Sequence, residues 1–125
     1  MKAPKVLGIG GSLLLVATAA LHLSGYSELS KQLQNTPLPG FWRAAIQATW
    51  VFFSMGLVII AAAVAAQFVQ RGPANRAVLM VCMALLAGTV IVMAVWLGVF
   101  IGTLAIAIAT LAIGTATAML FRSPT

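Results

Sequence analysis

Four long apolar runs, at residues 6–23, 41–68, 77–96 and 103–121, leave this chain very few ways to fold. A helix crosses a bilayer with about 20 mostly apolar residues. Inside hydrocarbon, every backbone N–H and C=O must find a partner within the protein, which restricts spanning structures to helices and closed barrels. The fourth run contains LAIAIA, an alternation that imitates a strand. A lone strand would leave its backbone unsatisfied, so helix is the reading there too. Composition agrees: 62% of the 125 residues are hydrophobic and 6% charged. A soluble domain carries about 25% charged residues. The expected fold is an all-α membrane protein, residues 1–125 forming one domain of four transmembrane helices in an up-down bundle.

The breaks differ in kind. Residues 24–40, SGYSELSKQLQNTPLPG, form a true polar loop closed by Pro37, Pro39 and Gly40. Within it, Ser27 is placed to cap a short helix, with Glu28 in its first turn and Leu29 and Leu33 on one face. That helix would act as a connector or as a lid on the bundle end. QRGPANR, residues 70–76, reads as a sharp turn, with Gly72 ending a helix that Pro73 cannot continue. Only Gly98 and Gly102 mark the third break, which suggests a tight hairpin.

The seven Lys and Arg residues set the expected orientation. Lys2, Lys5, Arg71, Arg76 and Arg122 fall on one side, Lys31 and Arg43 on the other. The bias places both termini in the cytoplasm and the 24–40 loop outside, consistent with a multi-pass protein of a bacterial inner membrane. The basic start and the triplet Ala17–Thr18–Ala19 also fit a secretory signal peptide; the expectation is a retained first helix.

Heptad spacing assigns inward faces. In the first run the stripe is Gly8, Ser12, Leu15, Ala19 and His22. In the second it is Arg43, Gln47, Trp50 and Ser54. In the fourth it is Thr103, Ala107, Thr110, Gly114 and Thr117. In the third, Ala84 and Gly88 form a small-xxx-small pair. Lipid supplies no hydrophobic drive for helix association, so such seams are the expected adhesive, within a chain or between two.

Arg43 and Gln47 are out of place in an apolar run, one helical turn apart. Gln47 would lie roughly 9 Å along the helix from Phe41, with Arg43 shallower and able to snorkel to the headgroups. His22, Tyr26 and Glu28 belong to the same outer end, as do Trp42, Trp50 and Trp96. Two readings follow. Arg and Trp commonly anchor helices at the interface. Alternatively His22, Tyr26, Glu28, Arg43, Gln47 and Trp50 form a ligand pocket, in which Arg43 meets an anionic group, Gln47 orients it and His22 titrates near neutral pH.

Much chemistry is excluded by what the chain lacks. Cys82 stands alone, so no intramolecular disulfide forms and dithiol chemistry has no second partner. Glu28 is the one acidic residue and lies in a loop, which argues against proton-coupled export through a membrane-embedded carboxylate. One histidine cannot supply both axial ligands of a haem, and the usual zinc ligand sets are incomplete. There is no Asp for a Ser–His–Asp triad. The scattered cations form no patch for nucleic acid. No cofactor, metal or catalytic residue is expected. The expectation is a non-catalytic membrane protein with membrane lipids as partners. It would bind a lipid or small amphipathic ligand at its outer end, or act as an accessory subunit in a homodimer or larger membrane complex. The alternatives are a small dimeric transporter or channel, and a membrane enzyme using His22 and Arg43.

Overall fold

The computed structural model describes residues 3–122, so the expectation for Lys2 lies outside the described residues. All regular structure among them is helical: α1 (Ala3–Ser24), α2 (Tyr26–Gln34), α3 (Gly40–Val69), α4 (Arg76–Trp96) and α5 (Ile101–Arg122). α1, α3, α4 and α5 are long and apolar enough to cross a membrane. Each helix outruns its apolar run by a few residues at one or both ends, such as Lys5 and Ser24 in α1 and Arg122 in α5.

α1 is the centre of the bundle, packed mainly on α3 and α5, while α4 packs on α5 and less extensively on α3. The first turns of α1 meet the last turns of α3, where the Phe68 ring lies directly against Gly8. The last turn of α1 meets α3 near its beginning, through His22, Trp50 and Ser54. The start of α4 meets the end of α5, with the Arg76 guanidinium over the Phe121 ring.

Close approach explains the α1 seam. Gly8, Gly11, Ser12, Leu15, Thr18 and Ala19 are all buried. A Cβ on Gly11 would stand 2.7 Å from Ile113 Cγ1 and 3.1 Å from the Ala109 carbonyl oxygen. Glycine is therefore required there by the approach of α5. α3 continues the 3/4 spacing with Ser54, Leu57, Ala61, Val64 and Phe68, all buried.

Two expected seams are corrected. On α5 the buried line is Thr103, Ile106, Ala109, Ile113, Ala116 and Thr117, while Ala107, Thr110 and Gly114 are half-buried. The small residues sit on α1, and the gaps they leave accept the isoleucines of α5. Thr110 needs no neighbouring helix, since its hydroxyl donates to the Ile106 carbonyl at 2.7 Å. On α4 the buried residues are Leu79, Cys82, Leu86 and Met93, whereas Ala84 and Gly88 are exposed. Large side chains fill the wider space beside α4, and the small pair turns outward.

The connections follow local chemistry. α1 ends at Ser24 and α2 restarts at Tyr26 after a one-residue bend at Gly25. Gly25 is the N-cap in αR geometry, so Ser27 falls inside the first turn and caps nothing. α3 ends at Val69, before Gly72, because Gln70 adopts an extended ψ of 152°. Side chains close this turn: Gln67 Oε1 accepts from the Asn75 N–H at 2.8 Å, and Gln70 Nε2 donates to the Pro73 carbonyl at 2.9 Å. Asn75 caps α4, its side chain accepting from the Ala77 and Val78 N–H groups. Between α4 and α5, Gly98 has φ of 82° and makes the expected tight turn. Gly102 lies within α5 instead, with the Phe100 ring folded over it.

Gly11→Ala is expected to destabilise the bundle by about 1–3 kcal/mol through overpacking. Gly10, which has nothing within 4 Å of an added Cβ, should tolerate alanine or gain slightly from its helix propensity. Denaturant unfolding of the two variants in the same detergent checks the contrast.

Candidate functional site

His22 continues the α1 seam onto the last helical turn. There its carbonyl would lack an intrahelical partner, as the final carbonyls of any helix do. α3 supplies one: the Trp50 indole N–H donates to His22 O at 2.9 Å, beside the Gly25 N–H at 3.2 Å. The Trp50 and His22 rings stack at 4.0 Å with 19° between planes, and Phe53 lies at 5.0 Å from the imidazole, tilted. Gly25 allows this approach, since a Cβ there would be 3.3 Å from Trp50 Cζ2.

The imidazole is fixed by Ser54, which is fully buried. Nδ1 and Ser54 Oγ are 2.8 Å apart, and Ser54 Oγ in turn donates to the Trp50 carbonyl at 3.3 Å. A hydroxyl carries one proton. Assigning that proton to the Trp50 carbonyl makes Nδ1–H the donor of the 2.8 Å bond, and on that assignment Nε2 of the neutral ring is a bare acceptor. Nε2 has no hydrogen-bond partner among the described residues.

His22 faces a cavity of about 500 Å³. Trp42, Trp50 and Phe53 of α3 form one wall, and Met93 and Phe100 close the far side. The lining is almost wholly apolar. Its Thr49 hydroxyl is spent on the Ala45 carbonyl at 2.8 Å, and the Trp50 N–H is spent on His22. Among the described residues, neither His22 Nε2 nor the indole N–H of Trp42, which is 57% exposed, has a hydrogen-bond partner, and both side chains line the cavity.

Of the six residues singled out from sequence, His22 and Trp50 meet directly and line this cavity. Gln47 and Arg43 do not line it. Gln47 Nε2 donates to Ser30 Oγ at 3.0 Å, fastening α2 to α3. Arg43 is half-buried, and its Nε is enclosed without a partner. Glu28 accepts from Gln32 Nε2 at 3.2 Å within α2, with no bond to Arg43. Tyr26 opens α2 and is half-buried. Trp96 is 82% exposed and stands outside the cavity. Ser54 was legible as the next position on the Arg43–Gln47–Trp50 stripe. Met93 and Phe100 had no sequence signal, because their presence depends on how α4 sits against α3. Among the described residues, no three His, Cys, Asp or Glu side chains gather to hold a metal ion.

Comparison with family models, with characterised proteins and with solved structures finds no match to this chain. The site therefore rests on its own chemistry.

Ser54→Ala should leave Nδ1–H without its acceptor and destabilise the protein by about 1–3 kcal/mol. Ser54→Thr retains a hydroxyl and should recover part of the loss. Unfolding midpoints, together with Trp50 fluorescence in a background carrying Trp42→Phe and Trp96→Phe, check both.

Proposed function

We propose that this small integral membrane protein is a non-catalytic binder of a lipid or small amphipathic ligand, held in the His22 cavity. Four helices long and apolar enough to span a membrane support the integral multi-pass class. The ligand reading rests on one observation: an apolar cavity of about 500 Å³ lined by His22 and Trp42, whose Nε2 and indole N–H have no partner among the described residues. Ligand sites are commonly apolar clefts of about 300–1,000 Å³ with a few placed polar groups. The fitting ligand has a broad apolar body and one hydroxyl-like head. That head donates to His22 Nε2 and accepts from the Trp42 indole.

The proposed arrangement is an up-down bundle in a bacterial inner membrane, with both termini in the cytoplasm. It draws support from which helix ends meet and from the charges. Lys5, Arg71, Arg76 and Arg122 belong to one end, Lys31 and Arg43 to the other, and the cation-rich end is placed inside. A second reading, as accessory subunit, is favoured by the exposed Ala84 and Gly88 of α4, where nothing lies within 4 Å of a Cβ on Gly88. A partner helix could approach closely there.

Native mass spectrometry of protein released gently from membranes tests the ligand reading. Wild-type protein should carry a recurrent small-molecule mass. Ile46→Trp fills the cavity while leaving His22, Trp50 and Ser54 unsubstituted, and should abolish that mass. Ile59→Trp, on the same helix outside the cavity, should keep it. A bare wild-type chain, or a mass surviving in the Ile46→Trp variant, would contradict the reading.

A further inference from the structure

A second cavity, of about 480 Å³, lies between α4 and α5 at the end of the bundle opposite His22. Arg76, Met80, Met83, Thr117, Phe121 and Arg122 line it. Its polar groups are unusual in two ways. Arg76 rests over the Phe121 ring at 5.6 Å, held by an aromatic face and not by a carboxylate. The only acidic side chain of the protein, Glu28, is bonded to Gln32 in α2. Two guanidinium groups thus share a cleft in which no acidic side chain among the described residues balances them.

Thr117 is the second anomaly. Thr18, Thr49, Thr89 and Thr110 each donate to the carbonyl four residues back. Thr117 is 6% exposed and its Oγ1 has no partner. An unsatisfied buried hydroxyl is costly, and more so where lipid replaces water. Below the cations, Met80, Met83 and Phe121 give the cleft an apolar floor.

We propose that this cleft is a binding site for an anionic phospholipid. The phosphate sits between Arg76 and Arg122, and an acyl chain runs over Met80 and Met83. Thr117 lies five residues before Arg122, roughly 7.5 Å along the helix axis. That depth suits the glycerol ester oxygens beneath a phosphate, and the Thr117 hydroxyl donates to one of them. Basic pockets between membrane helices are a recurring way to hold such headgroups. The apolar floor selects a lipid over a free anion. The site is independent of the His22 cavity and stands or falls separately.

The test uses full-length protein in bilayers of equal phosphatidylglycerol and phosphatidylcholine, with retained lipid read by native mass spectrometry. Wild-type protein should retain phosphatidylglycerol preferentially. In Arg76→Gln/Arg122→Gln that preference should fall about tenfold or more. Lysine at both positions should keep most of it, which separates lost charge from lost fold. Arg71→Gln, at the same end outside the cleft, should leave it unchanged. Thr117→Val should weaken retention by a few-fold without lowering the melting temperature of the lipid-free protein. The proposal is overturned if wild-type protein shows no preference, or if Arg71→Gln loses as much as the double glutamine variant. Displacement of the lipid by millimolar inorganic phosphate would also overturn it, making the cleft a free-anion site.

Discussion

Close approach of α1 to its two neighbours is the constraint on which the rest of the structure depends. In lipid, apolar side chains gain nothing by leaving their surroundings for one another, so helices are held by tight packing and by the few polar bonds they can form. Gly8 and Gly11 remove the side chains that would keep α3 and α5 away, and Phe68 and Ile113 fill the space. Both neighbours are thereby fixed around one central helix. α4, which does not share this seam, packs on α5 through larger side chains and leaves clefts on both of its flanks.

Those clefts have different chemistry because the chain distributes its few polar groups unevenly. At one end, the last turn of α1 carries a histidine whose carbonyl and Nδ1 are both bonded to α3. The bonds hold the imidazole rigidly and leave Nε2 open beside aromatic walls. At the other end, among the described residues, cations stand without acidic side chains, and the buried Thr117 lacks the bond that Thr18, Thr49, Thr89 and Thr110 make. The two proposed occupants differ accordingly: a largely apolar ligand with a small polar head at one end, and an anion carried on a lipid at the other.

Much of the fold was legible in the sequence. Lipid forces helices, so run length alone gave four spanning elements, and Pro39, Pro73 and Gly98 marked the breaks, whereas α3 ends before Gly72 and Gly102 lies inside α5. The α1 stripe from Gly8 to His22 was readable because small residues there are obligatory. The α5 stripe was not, because a seam needs small residues on only one helix, and Ile106 and Ile113 complement α1 by being large. The site was half legible. His22, Trp50 and Ser54 share seams visible in the heptads. The separation of Arg43 and Gln47 from His22 depends on α2 lying against α3, where Ser30 takes Gln47. Met93 and Phe100 come from distant sequence and needed the packing of α4.

His22 is the only histidine in the chain, so nitrogen NMR of ¹⁵N-histidine-labelled protein in bilayers reads this one ring without ambiguity. With the Ser54 proton assigned to the Trp50 carbonyl, the expected result is a neutral imidazole with its proton on Nδ1, a bare Nε2, and through-space contacts to the Trp50 indole. A proton on Nε2, or a ring without contact to Trp50, would contradict the open acceptor from which the ligand reading is built.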